Sequence, residues 1–147
     1  MILKYFAKKK KDRRDHLSGL KYLLDTKRVA DGTAKVLRGD VEDTKKLILS
    51  MDTKDRTTMG VLSFEETFVS EETKQKLMGD FEKATFPGMD KSQYNILWIE
   101  HTDKDGRIEL NFLIVKLELS TVKRIQPHYY KFDYPRKIGR ASCRERV

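Results

Sequence analysis

Trp98-Ile99-Glu100-His101, then the polar run Thr102-Asp103-Lys104-Asp105-Gly106-Arg107, then Ile108-Glu109-Leu110-Asn111-Phe112 make up the stretch whose reading decides the fold. Apolar residues lead in from Tyr94 and lead out through Leu113-Ile114-Val115, so two strands joined by a hairpin turn are predicted. Strand side chains alternate between faces, which puts Glu109 and Asn111 on one face and Leu110 and Phe112 on the other. His101 ends the first strand, and the hairpin brings it beside that pair. The flanking runs read as strands buried on both faces, where an unpaired carboxylate is costly. One imidazole, one carboxylate and one amide carbonyl form a mixed donor set that suits Mg²⁺ or Mn²⁺ better than zinc, and a bound cation would offset that cost. The plainer alternative is a strand-end histidine of the core or surface and a Glu-x-Asn pair that faces water.

Working outward, residues 1–6 read as an opening strand, and a charged loop follows. Ser18 is the expected cap of a short helix that runs through Tyr22 to about Asp25. Asp31-Gly32 marks a loop before a short strand at 35–37. Asp40 caps a helix with Leu47 and Ile48 on its inner face, and residues 59–64 form a strand. Ser70 with Glu71 and Glu72 opens a longer helix in which Leu77, Met78 and Phe81 recur at helical spacing until Phe86-Pro87-Gly88 stops it. After the hairpin, a turn near Ser120-Thr121 precedes a strand at 123–128. With no internal repeat or low-complexity linker, the prediction is one α+β domain, an antiparallel sheet with helices packed on it.

The His101, Glu109 and Asn111 set resembles the His-Glu-Asn signature of plasmid mobilisation relaxases of the MobA/MobL type, in the colicin-plasmid branch. That branch departs from the three-histidine metal site of most relaxases. The likeness extends to about Arg136, through Lys21-Tyr22-Leu23-Leu24, Val36-Leu37-Arg38-Gly39-Asp40, Gly60-Val61-Leu62-Ser63-Phe64-Glu65-Glu66, Glu72-Thr73-Lys74-Gln75, Phe86-Pro87-Gly88, Tyr94-Asn95 and Gln126-Pro127. It implies a layered sheet with the metal on its central strands and a nucleophilic tyrosine, here Tyr22, on a helix beside them. It further implies that His101, Glu109 and Asn111 hold Mg²⁺ or Mn²⁺, and that one strand of plasmid DNA is nicked at a transfer origin. The implied partners are single-stranded and supercoiled plasmid DNA, accessory mobilisation proteins and a coupling protein. Two features depart from the family: the turn between His101 and Glu109 is one residue longer, and a basic run replaces a glycine-rich segment before Tyr22.

That basic run, Lys8, Lys9, Lys10, Lys11, Asp12, Arg13 and Arg14, reads as a solvated loop, or beside a DNA enzyme as a set of phosphate contacts that salt would weaken. Tyr129, Tyr130 and Tyr134 are candidates for stacking on unpaired bases, or for closing a core edge. The chain has 147 residues and a formal net charge of +8, and 38% hydrophobic residues suffice for a core. With 37% charged residues, a heavily charged surface is expected. Its last ten residues, Ile138-Gly139-Arg140-Ala141-Ser142-Cys143-Arg144-Glu145-Arg146-Val147, resemble a translated sequencing adaptor and are set apart from a catalytic domain spanning 1–137. The single cysteine, Cys143, lies there, which removes disulfides, cysteine-based zinc sites and thiol nucleophiles from the rest. No membrane-spanning run or signal peptide is read, so a cytoplasmic location without membrane insertion is expected.

A phosphodiester is anionic and a poor electrophile, so tyrosine cleavage needs an activated oxygen and a cation on the scissile phosphate. The ordinary phenol pKa lies near 10, and the proton must leave during attack. His16 is a candidate base, or an exposed loop histidine. Without the resemblance, Tyr22 reads as an ordinary aromatic of an amphipathic helix, and a DNA-binding module without nuclease activity fits the charge pattern equally well. A replication-initiator nuclease usually has its tyrosine after the metal motif. Here the candidate precedes it. Asp103, Lys104 and Asp105 read as turn residues and nothing more.

Overall fold

The computed structural model describes residues 1–7 and 15–127. Among them, strands β1 (Ile2–Tyr5), β2 (Ala34–Arg38), β3 (Thr57–Ser63), β4 (Asn95–His101) and β5 (Glu109–Val115) form a sheet in the order β1-β3-β5-β4-β2. Every neighbouring pair is antiparallel. The β4–β5 hairpin lies inside the sheet, and its register sets His101 opposite Glu109, Ile99 opposite Asn111 and Leu97 opposite Leu113. The α+β expectation therefore holds. The two strands predicted to be buried on both faces are so because helices cover both sides.

On the face that carries His101, helices α1 (Ser18–Leu23) and α3 (Val41–Ser50) bring Leu20, Leu23 and Ile48 against Leu97, Ile99, Leu113 and Val115. On the other, α4 (Glu71–Thr85) sets Met78 and Phe81 against Trp98, Leu110, Phe112 and Ile114. Each such fully buried apolar side chain contributes about 1.5–3 kcal/mol, so the two layers pin the sheet from both sides. The predicted caps of the two longer helices are in place. The Asp43 amide donates to Asp40 Oδ1 at 2.8 Å, and the Thr73 amide donates to Ser70 Oγ at 3.2 Å.

Three expectations need correction. Ser18 does not cap α1: the Asp15 carboxylate accepts from the Leu17 amide at 3.0 Å, so the chain has already turned before Ser18 is reached. That helix ends at Leu23, and a short helix α2 (Thr26–Ala30) follows where a loop was expected. Asp25 caps it by accepting from the Lys27 amide at 2.8 Å. The last strand is not single but a small separate hairpin, β6 (Leu117–Glu118) with β7 (Lys123–Arg124). Among the described residues, two lysines lie inside the fold, each with a carboxylate partner. Lys74 is buried with its ammonium 2.5 Å from Glu100 and 3.0 Å from Glu71, and Lys116 is buried against Asp55 at 2.5 Å. The readings of residues 8–14, of 128–137 and of the 138–147 tail lie outside the described residues.

Gly60 shows how tightly the layers close. It lies on β3 opposite Phe112, and a methyl group added there would run into the Phe112 ring and come within 2.6 Å of the Lys4 carbonyl oxygen. Phe112 is itself held by Tyr5, Phe81 and Trp98, and the Lys4 oxygen belongs to a neighbouring strand, so neither yields cheaply. Gly60→Ala is expected to destabilise the domain by about 1–3 kcal/mol, the usual cost of overpacking. Urea unfolding measures this, and a midpoint equal to the parent's would contradict the packing argument.

Candidate active site

The trio occupies one end of the β4–β5 hairpin. Register partners share a face, so His101 and Glu109 project side by side on the α1 side of the sheet, with Asn111 two residues along the same face. Asn111 is flanked by Val61 on β3 and Ile99 on β4, and is 3% exposed. Its amide nitrogen makes only a long 3.5 Å contact with the Glu109 carbonyl. Glu109 is more open, and the exposed Lys104 ammonium lies 3.9 Å from it, a pair that water screens.

Two carbonyls at the end of α1 link this trio to the candidate nucleophile. The last turn of a helix leaves its carbonyl oxygens without helical donors, and they must be satisfied from elsewhere. His101 Nε2 lies 2.7 Å from the Leu23 oxygen, so this nitrogen carries the proton and donates it. The Nδ1 lone pair is then the one left for a cation. Backbone carbonyls commonly orient metal-ligating histidines in this way. Burial lowers the His101 pKa, against the opposing effect of the Leu23 bond, which favours the neutral ring that coordination requires.

The second carbonyl belongs to Tyr22 and accepts from Arg28 Nη1 at 2.8 Å. The same guanidinium lies over the Tyr22 ring, 4.7 Å from its centroid, and its Nε donates to Asp103 at 2.9 Å. The Tyr22 ring also meets the His101 ring edge-on at 6.3 Å between centroids. Partial burial works to lower the Arg28 pKa, but Asp103 and Tyr22 hold it above its ordinary value; Arg28 in turn lowers that of Asp103. Tyr22 is 48% exposed, unlike the core aromatic that helical spacing alone suggests. Tyr22 and the His101, Glu109 and Asn111 trio thus lie on one face of the sheet. Arg28 and Asp103 are the additions. Asp103 is more than a turn residue, and no local pattern signals its partner 75 positions away.

As a donor set, the trio fits a hard divalent cation through the His101 Nδ1 nitrogen and the oxygens of Glu109 and Asn111. Among the described residues, no three His, Cys, Asp or Glu side chains group as a metal site, so a cation here depends on the Asn111 amide. His16 is partly buried just before α1.

No protein-family model matches the chain. No solved structure matches it either. Two curated proteins do. Over 100 residues it is 53% identical to the cryptic plasmid protein C of Neisseria gonorrhoeae, covering 68% of this chain and 48% of that protein. Over 115 residues it is 46% identical to the DNA relaxase MbeA of Escherichia coli, covering 78% of this chain and 22% of that protein. The match thus spans less than half of either relative, at an identity that carries the family across most of this chain. By this likeness the chain belongs with the plasmid mobilisation relaxases of the colicin-plasmid type.

Proposed function

We propose that this chain is the catalytic part of a DNA relaxase that nicks one strand at a plasmid transfer origin for conjugative mobilisation. The observation that carries the reading is the exposed Tyr22 ring set edge-on to His101, whose register partner is Glu109. A nucleophile and a cation that act on one phosphate must lie on the same side of the fold, and the contact of the Tyr22 and His101 rings supports that. In the proposed reaction the Tyr22 phenolic oxygen attacks the scissile phosphorus and its proton passes to solvent, which the half-exposed ring reaches. The bond from phosphorus to the 3′ oxygen breaks as the new bond forms. That oxygen takes up a proton to leave a free 3′-hydroxyl, while the 5′ side stays linked to Tyr22 as a phosphodiester. The phosphodiester link keeps the bond energy for rejoining, so no nucleotide cofactor is needed.

His101, Glu109 and Asn111 are the residues we assign to Mg²⁺ or Mn²⁺, which when bound supplies Lewis-acid polarisation of the phosphate oxygens. The basic Lys8, Lys9, Lys10, Lys11, Arg13 and Arg14 suit the DNA backbone. Accessory mobilisation proteins and a coupling protein are proposed partners on the resemblance alone. No helix among the described residues is long and apolar enough to cross a membrane.

The test is incubation with single-stranded transfer-origin DNA and Mg²⁺ or Mn²⁺, read as a covalent protein–DNA adduct on a denaturing gel. The adduct should form with either cation and vanish with a chelator. Glu109→Gln should lower the adduct yield at limiting cation by about 10-fold or more, with partial recovery as the cation is raised. Binding without any adduct under all of these conditions would instead favour a DNA-binding module.

A further inference from the structure

Tyr22 sits on a helix of six residues and is half-exposed, so its helix alone does little to fix the ring. A phenol attacking in line must be held within a few tenths of an ångström, and a misplacement of about 1 Å can cost about 100-fold in rate. The Arg28 guanidinium is the described group that engages both the backbone and the ring of Tyr22. It comes from α2, six residues further along, and is itself tied to Asp103, two residues past His101. The planar guanidinium forks between the Tyr22 carbonyl and the Asp103 carboxylate while its face covers the ring, a combination that a lysine ammonium cannot reproduce.

We infer that Arg28, anchored by Asp103 on the β4–β5 turn, is a positioning residue that holds the Tyr22 ring against His101 for attack. The inference rests on Tyr22 being the nucleophile. The Asp103 carboxylate and the Tyr22 carbonyl already take the Nε and Nη1 donors of the guanidinium, and the Asp103 charge offsets its own, so it is poorly placed to hold DNA phosphates. Its loss therefore separates rate from affinity, which loss of a phosphate contact does not.

The experiment measures single-turnover adduct formation at saturating transfer-origin oligonucleotide, with the dissociation constant and its salt dependence measured alongside. Arg28→Lys is expected to slow adduct formation about 10-fold or more while affinity stays within about twofold and the salt slope is unchanged. Arg28→Ala should behave alike and regain part of its rate in millimolar guanidinium. Asp103→Asn, which leaves the ring and carbonyl contacts in place, should slow the step less and serves as the reading if Arg28→Lys fails to fold. Parental rate in Arg28→Lys and Asp103→Asn overturns the inference, and so does a joint fall of rate and affinity with a shallower salt slope. Tyr22→Phe separates the two levels: an adduct that persists in it removes the nucleophile, whereas its loss beside parental rate in the Arg28 and Asp103 variants removes only the positioning role.

Discussion

Tyr22→Phe is expected to abolish the covalent adduct while leaving the protein folded and able to bind DNA. The variant removes one oxygen from a ring that is 48% exposed, so little packing is at stake. The retained phenyl ring can still lie under the Arg28 guanidinium and beside His101. What disappears is the only atom of that side chain that can form a bond to phosphorus. Removing a nucleophile costs about 10⁴-fold to 10⁶-fold in rate, so any residual adduct should fall below detection in a normal assay. Denaturing gels read the adduct, and a gel-shift assay with the same oligonucleotide reads the affinity. An undiminished adduct in the variant would send the search to Tyr5 or Tyr94. Of these, Tyr94 lies buried in the α4 layer, with its hydroxyl donating to Glu82 at 2.8 Å, a poor position for attack on DNA.

Glu82→Ala is expected to cost more stability than the other substitutions considered. Glu82 lies on α4 with 5% of its surface exposed, beneath the face of the sheet opposite Tyr22. Its carboxylate accepts from Tyr94 Oη at 2.8 Å, from Arg38 Nη1 at 2.6 Å and from Trp98 Nε1 at 3.2 Å. Burial raises the Tyr94 pKa well above its ordinary value and the Glu82 carboxylate adds to the effect, so the hydroxyl stays a donor. Alanine would leave all three donors without their acceptor, two of them on buried side chains. Breaking such a buried charged set costs about 3–5 kcal/mol, and Glu82→Gln, which keeps one acceptor oxygen, should cost clearly less. Urea unfolding should show the midpoint falling at constant slope. A loss below about 1 kcal/mol would mean that water or neighbouring groups replace the carboxylate.

The central hairpin was legible because alternation is a local property. Glu109 and Asn111 sit two apart, His101 ends an apolar run, and the observed register gives the common face that parity predicts. Asp40 and Ser70 were legible as caps for the same reason, since each bonds to an amide three residues on. The misses are short or distant features. Helix α2 has five residues, too few for a periodic apolar face. Arg28 meets Asp103 across 75 positions and Arg38 meets Glu82 across 44, separations at which a single sequence carries no periodic signal. Nor does composition distinguish Lys74 and Glu82, which turn inward, from the charged residues that cover the surface.

The β4–β5 turn separates two requirements on chain length. His101 and Glu109 are facing partners in the ladder, and the ends of the span between them are fixed as well: the Thr102 amide donates to the Thr33 oxygen, and the amide of the buried Ile108 donates to the Glu66 oxygen. Asp103, two residues into that span, is tied back to Arg28, whereas the chain from Lys104 onward turns on itself through the Arg107 amide and the Lys104 oxygen. Residues added within the exposed 104–106 tip leave the ladder and the Arg28 tether in register, while the same residues added before Asp103 pull the tether out of line. The tip of this loop, Lys104 to Gly106, is therefore a site for grafting, where sequences can be exchanged without rebuilding the strand ends that carry His101 and Glu109.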